Sequence, residues 1–189
     1  MLAGLVLALP GCKDRNQSER SPVQMPPILA SMTTAPVATK EMPMFIPLTD
    51  DIQVSPQISL DQVAAARAQG VTMIINNRPD GEDPSAPQSA EIETAATAAG
   101  IDYVSIPVTH AGFSAPQVDA MIAALGKAEA GGGKVLAYCR SGTRSTLLWS
   151  LAQAKKGANP VELTRVAANA GYDLSPIRPM LDALSGQVE

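Results

Sequence analysis

Residues 134–154, KVLAYCRSGTRSTLLWSLAQA, decide the fold that we expect for this chain. They begin with a short apolar run at 135–138, which is long enough for one buried strand. They end with leucine and alanine residues at helical spacing, which predicts a helix after the strand. The two elements are joined by residues 139–145, CRSGTRS, so a cysteine follows the strand and an arginine stands near the start of the helix.

The joining segment 139–145 has the composition of an anion-binding loop that carries a nucleophile. Backbone N–H groups of such a turn can converge on one point, and the N-terminus of the helix adds positive potential there. That field favours the thiolate form of Cys139 over the thiol. Gly142 permits the positive φ that such loops need, and Arg144 could hold two oxygens of an anion with its planar guanidinium. We therefore expect Cys139 to attack an oxyanion ester or a sulfur-bearing anion.

The residues around Cys139 weigh against a purely structural role. Free cysteines often serve only as small buried apolar residues, and this alternative requires no particular neighbours. Charged, hydroxyl and glycine residues nevertheless crowd the loop. The anion-binding candidates are Arg140, Ser141, Gly142 and Thr143.

The rest of the chain predicts one α/β domain at residues 44–189. Short apolar runs alternate there with helical segments of about ten to fifteen residues, which is typical of a parallel sheet. We predict a mostly parallel sheet of four or five strands flanked by helices. The preceding residues, 12–43, are rich in Ser, Gln, Thr and Pro without a sustained period, and we expect them to form a flexible tether.

The first residues predict export. Residues 1–9, MLAGLVLAL, are apolar but too few to cross a bilayer as a helix. Leu-Pro-Gly-Cys at 9–12 resembles a bacterial lipobox, and polar residues follow at once. We expect residues 1–11 to be a signal segment and Cys12 to be lipidated, with simple cleavage as the alternative. The expected location is the bacterial envelope, either periplasmic or anchored to the membrane through this lipid.

Two other loops are expected beside the Cys139 loop, because ligands bind at the carboxyl ends of parallel strands. One carries Arg78 and Asp80; both could act at the site, although Pro-Asp-Gly is also a strong turn signal by itself. The other carries His110, the only histidine in the sequence. His110 could give a proton to a leaving group, or it could be an inert surface residue. Asp80 is the alternative acid.

Charge and composition limit the partners that we expect. The net charge is −4 and no basic block is present, so nucleic-acid binding is not indicated. One histidine and two widely separated cysteines do not form the usual zinc ligand set, and we expect neither a metal nor another cofactor. The expected partners are a small anionic or phosphorylated substrate and, through Cys12, a membrane.

Residues 44–156 resemble the phosphatase-like domain of beta-lactamase hydrolase-like proteins. The matching stretches are IINNRPDGE at 74–82, IPV at 106–108 and the loop at 139–145. That family is similar in fold to dual-specificity and tyrosine phosphatases.

The resemblance also implies roles for individual residues. It implies that Cys139 is the nucleophile that forms a phosphocysteine and that Arg144 clamps the phosphate. It implies that the Ser145 hydroxyl helps the thiolate to leave. It places His110 near the position of the general acid, which is an aspartate in those phosphatases.

Three interpretations of the function stay open. The phosphatases have five residues between cysteine and arginine, whereas Cys139 and Arg144 have four residues between them. Rhodanese sulfurtransferases have a similar Cys-Arg-Ser-Gly loop whose cysteine carries a persulfide. Their Asp-Val-Arg and Gly-His-Ile-Pro-Gly-Ala segments, however, do not occur in this sequence. The third interpretation is a non-catalytic anion-binding module at the envelope.

Overall fold

The computed structural model describes residues 45–186, so the predicted signal segment and the predicted tether, with Cys12, lie outside the described residues. A 3₁₀ turn, Ser175–Ile177, lies directly before the final helix of the described residues. The elements in chain order are β1 (Ile46–Pro47), β2 (Ile52–Ser55), α1 (Leu60–Ala68), β3 (Val71–Asn76), α2 (Ser89–Ala98), β4 (Asp102–Ser105), α3 (Ala115–Ala130), β5 (Lys134–Tyr138), α4 (Thr143–Lys155), α5 (Pro160–Asn169) and α6 (Arg178–Ser185).

The five strands form one mostly parallel sheet in the order β1-β2-β5-β3-β4. Only β1 is antiparallel, and it lies at the edge beside β2. β5 is central, between β2 and β3, and its residues 135–138 are all buried. A continuous apolar run is what a strand covered on both faces requires. The predicted α/β fold is confirmed, and the Cys139 loop leaves the middle of the sheet at its carboxyl edge.

Helices cover both faces of the sheet. One face packs against a core to which α3, α4, α5 and α6 contribute, and the sheet residues in it include Val54, Ile75 and Ala137. The opposite face packs against α1 and α2 through alternate residues such as Ile74 and Leu136. This alternation follows from the two-residue period of strand side chains.

Helix α4 is buried on almost every side. Its residues 145–152 are all buried, and the set includes Leu148, Trp149 and Leu151. A helix that is enclosed in this way is held by packing rather than by its own propensity. The N-terminus of α4, and with it the Cys139 loop, is therefore fixed relative to the sheet.

No helix within residues 45–186 has the length and apolar character needed to cross a membrane.

Candidate active site

The Cys139 loop, residues 139–145, folds a backbone N–H group onto the cysteine sulfur. Cys139 is fully buried, and its Sγ accepts a hydrogen bond from Gly142 N–H at 3.1 Å. Gly142 is the N-cap of α4 with φ = +86°, a left-handed backbone conformation that residues with a Cβ rarely adopt. A donor aimed at sulfur stabilises the negatively charged form. The loop therefore supplies a hydrogen-bond donor to the sulfur, and a thiolate at Cys139 stays a prediction.

The other loop residues differ in their accessibility. Arg140 and Ser141 are exposed, and the Ser141 and Thr143 hydroxyl oxygens lie 3.0 Å apart. Ser145 is fully buried, and its hydroxyl has no hydrogen-bond partner within residues 45–186. Buried hydroxyls usually have a partner, and the predicted role of Ser145 at the departing thiolate stays a prediction.

Arg144 connects the loops that follow β3, β4 and β5. Its Nη1 donates to the carbonyl oxygen of Val108 at 2.8 Å. Its Nη2 donates to both carboxylate oxygens of Glu82, at 2.9 and 2.8 Å. These contacts use at most three of the five N–H groups of a guanidinium. The Nε–H group and one Nη1–H group are left, on different sides of the guanidinium, and the predicted clamp role of Arg144 stays a prediction.

Glu82 lies between two guanidinium groups. It accepts from Arg144 and also from Nε of Arg78 at 3.1 Å. Partial burial alone would raise the pKa of the Glu82 carboxyl, but the hydrogen bonds from Arg144 and Arg78 and their positive charges together hold it below its usual value. Glu82 is therefore a carboxylate that fixes the direction of Arg144.

Arg78 supports the loop after β3 and is only 7% exposed. Besides its bond to Glu82, its Nη1 donates to Oε1 of Gln57 at 2.8 Å, and its Nη2 lies 3.5 Å from a carboxylate oxygen of Asp83. In the described part of the chain it forms no hydrogen bond with the Cys139 loop. A direct catalytic role for Arg78 stays a prediction, and the observed contacts are those of a framework residue.

Asp80 is exposed and is used at the N-terminus of α2. Its Oδ1 accepts from the backbone N–H and the hydroxyl of Ser89, at 2.8 and 2.7 Å. A carboxylate at this end of a helix is favoured because it meets free N–H groups and positive potential. Asp80 thus serves the N-terminus of α2, and its role as the alternative acid stays a prediction.

His110 lies in an exposed turn of the loop after β4. The bond from Arg144 to Val108 brings this loop to the Cys139 loop, and Val108 is two residues before His110. The His110 ring forms no hydrogen bond to any other residue of the range 45–186. Its role as the general acid stays a prediction.

Three residues that contact the site were not singled out in the sequence. Glu82 follows a Pro-Asp-Gly turn in a loop expected to face Cys139, so its charge was a usable signal. Gln57 had no signal, because it reaches Arg78 only through the position of β2 in the sheet. Tyr172, which donates to the carbonyl oxygen of Ser141 at 3.3 Å, also had none. The described residues contain no group of three or more His, Cys, Asp or Glu side chains that could hold a metal ion.

Glu82→Gln is expected to destabilise the domain by about 1 to 2 kcal/mol near pH 7, because an amide N–H₂ would face the guanidinium groups of Arg78 and Arg144. The lowered pKa of Glu82 means that its contribution is complete above the usual glutamate pKa. It is lost as the pH falls through the folded-state pKa. Urea unfolding of both proteins, followed from pH 7 downward, measures the difference, which should shrink below about pH 4.

The matched control for that measurement is Glu93→Gln, which removes an exposed carboxyl on α2. It should change the free energy of unfolding by less than about 0.5 kcal/mol at any of these pH values. Equal effects of the two substitutions near pH 7 would contradict a special role for Glu82.

The arrangement of the sheet and of the Cys139 loop matches a known fold. A central parallel strand ends at a buried cysteine, a glycine-bearing loop follows, and a buried helix begins at that loop. This is the architecture of the tyrosine and dual-specificity phosphatases, and similarity to solved structures confirms it.

The chain belongs to the family of the phosphatase-like domain of beta-lactamase hydrolase-like proteins, which matches residues 44–156. A beta-lactamase hydrolase-like protein of Agrobacterium fabrum is 31% identical over 142 residues, which are 75% of this chain and 32% of that protein. The chain thus spans about a third of the length of the curated relatives that it matches. The resemblance found in the sequence is confirmed.

Two solved structures show how far the similarity extends. A candidate phosphatase from Neisseria meningitidis is 32% identical, with a TM-score of 0.60 over 74% of this chain and 96% of that chain. Tk-PTP in its active form is 16% identical, with a TM-score of 0.63 over 78% of this chain and 99% of that chain. The second likeness concerns the fold alone.

Proposed function

We propose that this domain is a cysteine-dependent phosphatase that acts on phosphate monoesters through the thiolate of Cys139. The observation that carries the proposal is the bond from Gly142 N–H to the buried Cys139 Sγ at the N-terminus of α4. This contact stabilises the attacking sulfur, and the same helix end attracts a phosphate group. Membership of a family with a phosphatase-like domain supports the proposal.

In the first step Cys139 Sγ attacks phosphorus, an S–P bond forms, and the P–O bond to the alcohol breaks. Arg144 donates to a non-bridging oxygen from one of its free N–H groups, and its positive charge offsets the charge on the phosphate oxygens. The departing alkoxide takes a proton from His110 in its charged form. The product of this step is a phosphocysteine and a free alcohol.

In the second step a water molecule attacks phosphorus, gives up a proton, and the S–P bond breaks. The electron pair of that bond returns to sulfur, and the Ser145 hydroxyl donates a hydrogen bond to the departing thiolate. Inorganic phosphate leaves, and Cys139 is again a thiolate. The neutral His110 left by the first step is suited to accept the proton of the attacking water.

Cys139→Ser is expected to abolish hydrolysis of p-nitrophenyl phosphate, because a serine hydroxyl is a far weaker nucleophile than a thiolate. Mass spectrometry of the wild-type protein during turnover should show a phosphate adduct on Cys139. Cys12→Ser removes the other cysteine of the chain and should keep the activity.

The same experiment separates the alternatives. A persulfide on Cys139 after exposure to thiosulfate, with transfer of sulfur to cyanide and no phosphatase activity, would replace the proposal by a sulfurtransferase. Binding of inorganic phosphate without turnover of either substrate would replace it by an anion-binding module.

We also propose that the domain works in the bacterial envelope and is anchored through a lipid on Cys12. The support is the apolar segment and the Leu-Pro-Gly-Cys sequence at 9–12. Stable anchoring needs more than one acyl chain, which a lipidated N-terminal cysteine provides. Cys12→Ala should move the protein from the membrane fraction to the soluble fraction of lysed cells, and an unchanged distribution would refute the anchor.

A further inference from the structure

The end of helix α5 places a tyrosine against the Cys139 loop. Gly171, with φ = +87°, donates its N–H to the carbonyl oxygen of Ala168 at 3.0 Å, and Tyr172 donates its N–H to that of Ala167 at 2.8 Å. These two bonds form a Schellman motif, which fixes the chain direction at a helix C-terminus. Tyr172 lies outside the family match at 44–156.

The segment after Tyr172 is also held in place. Leu174 is 1% exposed and belongs to the core. The Asp173 carboxylate accepts from the backbone N–H and the hydroxyl of Ser175, at 2.9 and 2.5 Å. The backbone at Tyr172 is thus held on one side by the end of α5 and on the other by buried Leu174. Its ring can therefore contact the Cys139 loop at little cost in conformational entropy.

One peptide group connects Tyr172 to the cysteine sulfur. The Tyr172 hydroxyl donates to the carbonyl oxygen of Ser141 at 3.3 Å. The N–H of the same peptide group belongs to Gly142 and donates to Cys139 Sγ at 3.1 Å. Because the C=O and N–H of a trans peptide point in opposite directions, a hydroxyl on one side of this plane fixes the N–H on the other side.

We propose that Tyr172 is a positioning residue that holds the 141–142 peptide so that its N–H points at the thiolate of Cys139. The role of this contact in turnover rests on the phosphatase function proposed above. Rotation of the peptide would withdraw the only donor that reaches Sγ within residues 45–186 and would turn a carbonyl dipole toward the negative charge. Hydrogen bonds in series also polarise one another, so the hydroxyl strengthens the contact at sulfur.

The surroundings of Tyr172 favour its protonated form, in which the hydroxyl donates. Partial burial, and then the negative charge of Cys139, raises the pKa of the Tyr172 hydroxyl above its usual value. The other charged groups of the two segments are turned elsewhere or exposed. Arg144 is bound to Glu82, Arg140 is exposed, and Asp173 is bound to Ser175.

The test is Tyr172→Phe, which removes the hydroxyl and keeps the ring, so that access to Cys139 is unchanged. The rate of alkylation of Cys139 by iodoacetamide near neutral pH should fall about two- to ten-fold, the effect of one lost neutral hydrogen bond. The ultraviolet absorbance of the thiolate, taken as the difference from Cys139→Ser, should fall as well. For p-nitrophenyl phosphate, kcat should fall with little change in KM, and the unfolding midpoint in urea should stay close to that of the wild type.

The control is Tyr103→Phe. Its hydroxyl accepts from Nδ2 of Asn76, away from the peptide at 141–142, and its loss should leave the alkylation rate at the wild-type value. Equal alkylation rates and equal thiolate absorbance in the wild type and Tyr172→Phe would overturn the proposal. A wild type without phosphatase activity, but with slower alkylation in Tyr172→Phe, would refute the proposed function and leave the positioning role standing.

Discussion

Arg144→Lys is expected to lower the turnover of a phosphate monoester about a hundred- to a thousand-fold, while the fold stays intact. Arg144 binds Glu82 and Val108 with its Nη groups and has further N–H groups for an anion. A lysine ammonium is a single point of charge and cannot make these contacts together in one plane. If the added charge on the oxygens develops mainly in the transition state, the loss falls on kcat rather than on KM.

Arg140→Lys is the control for that prediction. Arg140 directly follows the cysteine and is exposed, so we expect a much smaller effect on the same substrate. Measuring kcat and KM of both variants, with circular dichroism to verify the fold, distinguishes the two arginines. A crippled Arg140→Lys beside an active Arg144→Lys would show that the register of the loop is misassigned. It would also favour a sulfurtransferase, in which the residue next to the cysteine helps to bind the sulfur donor.

Gly142→Ala is expected to lower turnover by more than about a hundred-fold and to destabilise the domain. A Cβ at Gly142 would lie 2.1 Å from the hydroxyl oxygen of Tyr172. Its φ of +86° also costs an alanine about 1 to 2 kcal/mol. Relief of the overlap requires the tyrosine to move off Ser141 or the loop to shift, and either change disturbs the N–H aimed at Cys139.

Gly70→Ala separates the two causes. Gly70 has a φ of +85°, but nothing lies within 4 Å of the Cβ that it would gain. It lies between α1 and β3, at the amino ends of the parallel strands, whereas Cys139 lies at their carboxyl ends. We expect a similar backbone cost of about 1 to 2 kcal/mol with unchanged turnover, as measured by urea unfolding and p-nitrophenyl phosphate hydrolysis. Comparable losses of turnover in both variants would mean that backbone strain alone explains the effect.

The sequence predicted the local structure well because the signals for it are local. The apolar run at 135–138 specifies a covered strand wherever it lies, and the spacing of the leucines specifies α4. The order of the strands had no such signal. β5 lies between β2 and β3 although it comes last of the five strands in residues 45–186, because strand pairing is decided by tertiary packing.

The contacts of the candidate site also divide into local ones, which the sequence indicates, and distant ones, which it does not. Cys139 and Gly142 are three residues apart, so loop composition alone indicates their relation. Glu82 and Arg144 are 62 residues apart, and Tyr172 and Ser141 are 31 apart. Contacts of this kind depend on where the sheet and the last helices bring their loops. They could not be predicted from residue type and spacing.

The helices beyond residue 156 determine which residues a recombinant fragment of this domain must contain. α5 and α6 bury residues such as Leu163, Ala167 and Leu181 against the rest of the core. A recombinant fragment limited to the family match at 44–156 would expose the apolar side chains of α4 that α5 and α6 cover. Large exposed apolar patches of this kind promote aggregation. Insoluble material from such a fragment would therefore reflect a misplaced cut and would carry no information about the chemistry of the intact domain.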